Sequence, residues 1–401
     1  MMLLKQKIMV KQHDIIIVGI QPWDITIGSN CKNMALELSK KHRVLYVNSP
    51  LDRSTARKKD AFVQKRLDVI NGKIEPLTKI NENLWEFNPP VMIESINLLP
   101  DFLFSFANKY NNKKIANSIL KVLTVLDFKD YYILNDSDMF RSFYLKEFLN
   151  PVKYIYYTRD NLMTVPYWKK HGATLEPKLM KKADIVLGNS PFLIQTAKKV
   201  NSNSNYIGQG CDISAFSSNI EVLKPKDLSN IKGKIVGYTG LLSDRRLDID
   251  LIEKIALSHP EWNIVLIGPE EENFKKSILH NLENCFFLGN KTPESLPDYI
   301  YFFDVCINPQ IVNDLTIANY PRKIDEYLAM GKPVIATYTP TMEIFSKHSF
   351  LAHSSHEFIR MIELALNDDD VLIQNERKQF AQSHSWENCI NNFWVAIENG
   401  V

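Results

Sequence analysis

The stretch DIIIVGIQPWDITIGSNCKNMALELSKKHRVLYVN, residues 14–48, decides the fold. It opens with the apolar strand DIIIVGI (14–20), passes through a loop, and predicts a helix from Ser29, with Cys31, Met34, Ala35 and Leu38 recurring at helical spacing. The strand RVLYVN (43–48) follows, so the whole reads as a β-α-β unit. Later apolar runs, YYILN (131–135), KYIYYT (153–158) and DIVLGNS (184–190), extend a parallel sheet. The Lys-, Asn- and Pro-rich region 51–110 resists assignment. The second half repeats the grammar with KIVGYTG (234–240), a helix in LDIDLIEKIALSHP (247–260), NIVLIGP (263–269), CFFLGN (285–290), a helix in PESLPDYIYFF (293–303) and VCINP (305–309). The expectation is an α/β protein of two doubly wound Rossmann-like domains facing a cleft. Boundaries are placed at 1–215 and 216–382, the junction lying in the aperiodic, Ser-, Asn- and Lys-rich stretch near 211–232. An amphipathic helix in 383–401 closes the chain.

Composition narrows the function classes. With 401 residues and 45% apolar content the chain can bury one or two substantial cores, and the five cysteines show no C-x-x-C spacing, so a reduced compartment and no structural zinc are expected. The N-terminus is broken by lysines, and no run reaches the roughly 18 apolar residues of a membrane span, which points to a cytoplasmic protein. Residues 1–220 hold 31 Lys/Arg against 20 Asp/Glu, a net +11, while residues 221–401 hold 17 against 26, a net −9. Basic clusters at Arg57, Lys58, Lys59 and at Lys169, Lys170 could draw an anionic membrane surface, a phosphorylated acceptor or nucleic acid, although solvated helix faces explain such clusters more commonly. Neither first strand is followed by G-x-G-x-x-G, which disfavours a dehydrogenase.

The segment NYPRKIDEYLAMGKPVIAT (319–337) carries more chemistry. It predicts a helix of about ten residues, with Asn319 as cap, Pro321 in the first turn and Gly331 as terminator before the strand PVIAT. Ile324, Tyr327 and Leu328 would face a core, leaving Arg322, Lys323 and Glu326 on another arc near the helix start. Two cations and a carboxylate there suit a phosphate and a diol. From spacing alone, an Arg322–Glu326 surface pair is the simpler reading.

Four segments in order resemble the GT-B glycosyltransferases, in particular bacterial enzymes of cell-surface polysaccharide synthesis (glycosyl transferases group 1, family 4-like): residues 21–48, KKADIVLGNSPFLIQTAKK with IGQGCDISAF (181–199 and 207–216), GYTGLLSDRRLDIDLI (237–252), and 319–337. The resemblance implies that Glu326 holds the donor ribose, that Lys323 and Arg245 or Arg246 meet the diphosphate and act on its departure, and that Gly240 and Asn319 line the donor site. It places Asp24 and Gly28 at the acceptor, and Asp160 in YYTRDN as the base. It further implies a nucleotide-sugar donor and a saccharide or lipid-linked acceptor. The charge split, independently of the resemblance, points to an anionic membrane surface as a peripheral partner, and because Lys and Arg can neutralise the diphosphate and no D-x-D is flanked as a metal site, neither metal, cofactor nor nucleic acid is expected. The sequence departs from the family's E-x7-E pattern, since Ala318 stands eight positions before Glu326; Asn313, Asp314 or Asn319 could substitute. The residues alone leave other roles open: an Arg245 pair with Asp248 or Asp250, capping by Asp136 and Asp138, capping by or an Arg159 pair for Asp160, and a surface position for His171. An epimerase of the same shape and a binding protein without turnover are the rival functions.

Overall fold

The computed structural model describes residues 12–25, 29–216, 222–367 and 370–399. The chain divides into two compact units, the first comprising residues 1–189, 193–207 and 390–401, the second residues 190–192 and 208–389.

In the first unit an eight-stranded sheet is built from β1 (Asp14–Gly19), β2 (Arg43–Val47), β4 (Leu77–Asn81), β5 (Leu84–Phe87), β7 (Tyr132–Asp136), β8 (Lys153–Thr158), β9 (Ile185–Gly188) and β10 (Ser204–Tyr206), in the order β10-β9-β8-β7-β1-β2-β5-β4. The short β3 (Leu51–Asp52) and β6 (Met92–Ile93) pair separately. All neighbours in the large sheet are parallel except β4 and β5. Its strands read as unbroken apolar runs because both faces are covered. Ile16 and Val18 of β1 join a core with Ile115, Ile119 and Leu179, while Ile15 and Ile17 point to the opposite side and are equally buried. Cys31, Met34, Ala35 and Leu38 are buried on the helix Asn30–Ser39, capped by Ser29 Oγ accepting from Lys32 N at 3.1 Å. Region 51–110 contains β3 to β6, the helix Ala61–Ile70 and the start of a long helix, Asp101–Leu126.

The second unit holds β11 (Ile235–Thr239), β12 (Asn263–Ile267), β13 (Cys285–Phe287), β14 (Val305–Asn308), β15 (Val334–Thr337) and β16 (Phe350–Ala352), all parallel, in the order β13-β12-β11-β14-β15-β16. Its two faces carry separate cores. Val236, Ile264 and Val305 pack with Leu251, Ile255 and Ile362 on one side. Ile235, Val265 and Cys306 pack with Ile324, Tyr327 and Leu328 on the other.

The units meet the sequence at slightly different places from those read from periodicity. The division falls after Ile207, ahead of position 215, because Cys211 N donates to His384 O at 2.9 Å and Gly210 lies flat against the Trp386 ring, holding that segment to the second unit. The closing helix runs Trp386–Asn399, and its residues from Ile390 onward belong to the first unit. Trp394 stacks on His13 at 5.1 Å, and Lys153 Nζ donates to Ile397 O at 2.8 Å.

One contact fixes the helix Lys323–Ala329 to the sheet. The fully buried Tyr327 hydroxyl accepts from Thr239 N at 2.8 Å, at the carboxyl end of β11, and lies 3.0 Å from Thr239 Oγ1. Gly331, at φ +75°, then ends the helix: Lys332 N donates to Tyr327 O and Gly331 N to Leu328 O, the paired bonds of a left-handed helix terminus. Tyr327→Phe strips the buried Thr239 N–H of its acceptor and should cost about 1–3 kcal/mol. An earlier thermal unfolding transition is expected; a variant melting with the parent would show that the hydroxyl holds nothing.

Candidate active site

In the second sheet the strand order reverses between β11 and β14, and the loops leaving these two strands lie together at their carboxyl ends. Ile311 N donates to Arg246 O and Asp248 N to Pro309 O, each at 2.9 Å. Such a switch point is where open α/β sheets bind ligands. The chain turns here on Gly240, whose φ of +134° suits glycine and whose missing Cβ would stand 2.7 Å from Lys323 Nζ. Gly268, at the end of β12, has φ +147° and would place a Cβ 1.9 Å from Gly240 O, so the two strand ends can approach only as glycines.

Lys323 opens the anchored helix one turn before Tyr327. Its ammonium donates to the Tyr238 hydroxyl and sits 3.8 Å from the centroid of that ring. Burial pulls its pKa down to about 7, the nearby Glu326 opposing and Arg246 reinforcing the shift. A cation held so close to neutrality has no carboxylate bonded to it, and it faces the bare backbone of Gly240. Glu326 is half-buried, and burial pushes its carboxyl above the usual range against the pull of Arg322 and Lys323. Glu326 N donates to Arg322 O at 3.2 Å, but the Arg322 guanidinium acts on the Glu326 carboxylate through charge alone, with no side-chain hydrogen bond between them among the described residues. The i,i+4 pair expected from spacing is therefore not formed, an exposed guanidinium gaining little by giving up its rotamers for one. The helix also differs at its start: it has seven residues, Arg322 is its N-cap without a side-chain cap, and Asn319 N instead donates to Thr316 O at 3.0 Å.

The two neighbouring arginines are placed differently. Arg245 is largely exposed and pairs with Glu271 at 3.2 Å, whereas Asp248, its expected partner, caps the next helix by accepting from Leu251 N. Arg246 is the one whose charge reaches both Lys323 and Tyr238. Ala318 is buried at 1% exposure. Asn313, a candidate to replace the absent carboxylate, spends its Oδ1 on Leu315 N and Thr316 N and its Nδ2 on Arg245 O. The structure thus brings together Gly240, Arg246, Lys323 and Glu326, with Asn319 half-buried in the segment leading to them.

Behind the helix lies a network absent from the sequence reading. The fully buried Asp325 accepts from the Tyr320 hydroxyl at 2.8 Å and meets His384 Nδ1 at 2.6 Å. Tyr327 packs into the core as its spacing predicts, but nothing in the spacing announces where its hydroxyl goes, and Tyr238 was not singled out at all.

In the first unit, Asp160 is half-exposed and its Oδ2 accepts from Arg159 at 2.9 Å; Arg159 is itself gripped by the buried Asp136 at 2.8 Å. Asp160 caps no helix, since Asn161 precedes the following turn. Asp138 closes the turn that follows it, accepting from Phe140 N and Arg141 N, and no helix begins there, the next one starting at Leu145. Asp24 is bound by Lys65 at 2.7 Å and Arg66 at 2.9 Å; burial works to raise its carboxyl, but these bonds win and hold it below the usual range. Gly28 lies outside the described residues. His171 is buried, against the surface position expected: it meets Asp101 and Asn97 O, each at 3.0 Å, and stacks on Phe104 at 3.8 Å, so the ring fills a core site that satisfies both nitrogens. A cavity of about 520 Å³ opens beyond the ends of β1, β2 and β7. It is lined by Phe140, Tyr167 and Trp168 together with Asp52, Arg141 and Asn97, and Asn97 Oδ1 is buried there without a partner.

Comparison with known proteins bears on the fold and on the family resemblance. Residues 233–368 match the glycosyl transferases group 1 family. Over 243 residues the chain is 26% identical to a putative teichuronic acid biosynthesis glycosyltransferase, TuaH, of Bacillus subtilis (strain 168), the match covering 58% of this chain and 60% of that relative's length. Sucrose-phosphate synthase from Thermosynechococcus elongatus is similar in structure with a TM-score of 0.66 at 13% identity, covering 96% of this chain and 99% of that one. HepE of Anabaena, solved in complex with UDP and glucose, gives 0.60 at 16% identity, covering 96% and 98%. The fold is the two-domain GT-B fold, as expected from the alternating strands and helices.

Lys323 is expected to titrate far below other lysines. With the lysines ¹³C-methylated, one NMR resonance should titrate with a midpoint near 7 and vanish in Lys323→Arg. A spectrum in which every lysine titrates above 9 would contradict the buried, carboxylate-free setting.

Proposed function

We propose that the protein is a glycosyltransferase that moves a sugar from a nucleoside-diphosphate donor to a saccharide or lipid-linked acceptor of cell-surface polysaccharide synthesis. The observation that carries this reading is Lys323 held over the Gly240 backbone at the switch point, with the charges of Glu326 and Arg246 acting on it, within the segment that matches the glycosyl transferases group 1 family. UDP in HepE and the biosynthetic role printed for TuaH support a nucleotide-sugar donor and a polysaccharide product.

In the reaction the bond from the anomeric carbon to the diphosphate oxygen breaks, an acceptor hydroxyl oxygen bonds to that carbon, and its proton passes to a base. Negative charge grows on the leaving diphosphate. Lys323 and Arg246 stand where that charge develops and stabilise the transition state more than the ground state, with Arg245 at the exposed rim. These side chains supply the neutralisation that a metal would otherwise provide, so the reading calls for neither metal nor cofactor. Glu326, with no hydrogen-bonded partner among the described residues, accepts the ribose hydroxyls, and Gly240 and Asn319 complete the donor surface. Asp160 takes the proton. Around the acceptor, Trp168 and Tyr167 give a sugar ring an apolar face to lie on and the unpartnered Asn97 Oδ1 accepts a hydroxyl. Asp24, in the segment after β1, contributes to the acceptor side, as does Gly28, which lies outside the described residues.

Glu326→Ala and Lys323→Ala should each weaken UDP binding by about ten- to a hundredfold, the range of one charge-assisted hydrogen bond. Asp160→Asn should leave UDP affinity intact and slow turnover about 10²-fold. The buried Ala318 favours attention to the rivals, so products decide. UDP released only when acceptor is present supports transfer; isomerised sugar without acceptor supports an epimerase; nucleotide-sugar binding with neither product supports a binding protein.

A further inference from the structure

The long helix Asp101–Leu126 turns its sides against expectation. Its inward face carries asparagines as well as apolar groups: Asn111 grips the Glu94 backbone through both Oδ1 and Nδ2 at 2.9 Å, and Asn112 donates to Phe140 O at 2.9 Å. Its outward face carries aromatic rings. Phe102, Phe106 and Tyr110, spaced four apart on one strip, are 67%, 77% and 55% exposed, and Leu98 just before them is 90% exposed. A run of large apolar side chains left in water on a soluble domain marks an interaction surface.

The charge around the strip says what covers it. From Phe102 to Leu126 the helix has four lysines and no acidic residue, and Lys109 and Lys113 lie exposed beside the rings. The exposed pair Lys169–Lys170 adjoins His171, which is bonded to Asn97 and Asp101 at the start of the strip. Three carboxylates lie nearby and are outnumbered by these lysines: the exposed Asp101 bonds His171, Glu94 pairs with Arg53 at 2.7 Å, and Asp52 accepts from Ser54, Thr55 and Ser95. We propose that Leu98, Phe102, Phe106 and Tyr110 dock into the interface of an anionic lipid bilayer, with Lys109, Lys113, Lys169 and Lys170 meeting its headgroups. Aromatic rings below and lysines reaching to the headgroups are the composition of a helix that lies on a membrane. No described helix is long and apolar enough to cross one. A second copy of this chain is the poorer occupant, because a two-fold contact through the strip would bring the lysines of both copies together. Leu98 also lines the 520 Å³ cavity, so the docked protein would hold that cavity at the lipid surface, within reach of a sugar carried on a lipid. This last step rests on the saccharide reading of the cavity; the docking does not.

The test is co-sedimentation of the full chain with phosphatidylglycerol vesicles and with phosphatidylcholine vesicles, at low and high salt and without donor, so that it is independent of transfer activity. Binding to the anionic vesicles alone is expected. Phe102→Ser with Phe106→Ser should weaken it about a hundredfold, roughly tenfold for each exposed ring, and Lys109→Glu with Lys113→Glu should abolish its salt dependence; neither pair should shift the thermal transition much, since all four side chains are exposed. No binding at low salt overturns the proposal, as does binding that both double variants retain. A dimer in sedimentation velocity that Phe102→Ser with Phe106→Ser dissolves, without vesicle binding, overturns it in favour of a second copy.

Discussion

The proposed donor site depends on one hydrogen bond, from the Thr239 amide to the Tyr327 hydroxyl. A strand end has free N–H groups, and a helix packed beside it has freedom to slide along its axis. Closing that bond in a buried place fixes the register, and the register puts Lys323, one turn earlier, over Gly240. Lys323 is then taken from water with only a tyrosine ring and hydroxyl for company, which is why its pKa falls to about 7. An ammonium so placed is under-compensated until an anion arrives. The Asp325–His384–Tyr320 network holds the other side of the same helix, so the side chains that meet the ligand project from an element fixed at both flanks.

What the sequence made legible follows from how parallel sheets are buried. Strands such as DIIIVGI and NIVLIGP are covered on both faces, so they appear as unbroken apolar runs, and the capped helix after Ser29 shows its inner stripe plainly. Region 51–110 was illegible for the complementary reason: β3 and β6 have two residues each, and β4 is an edge strand with exposed Thr78, Lys79, Ile80 and Asn81. In the helix at 101–126 the four-residue spacing of Phe102, Phe106 and Tyr110 marks an exposed strip, while Asn108, Asn111 and Asn112 share the buried face with Phe104, Ile115 and Ile119, so spacing alone does not tell which side faces the core.

The site was legible only in part. Lys323 and Glu326 stood out through the resemblance of their motif, whereas spacing favoured an Arg322–Glu326 pair that the structure does not make. The choice between Arg245 and Arg246 could not be made from adjacent positions in a loop, since it turns on Glu271, which binds Arg245 from 26 residues away. Hydroxyl and imidazole partners across the chain, Tyr327 to Thr239 and Asp325 to His384, leave no periodic trace at all.

On the proposed reading, Lys323 is a cation left under-compensated until a diphosphate completes its setting. Isothermal titration calorimetry with UDP at pH 8, repeated in buffers of different ionisation enthalpy, measures the protons exchanged on binding. A lysine titrating near 7 when free is mostly neutral at pH 8, and a bound diphosphate restores its charge, so affinity falls as pH rises above 7 and binding draws in a proton. The account predicts uptake approaching one proton per UDP, lost in Lys323→Arg, whose side chain stays charged. UDP binding with no proton uptake by the parent protein would contradict it.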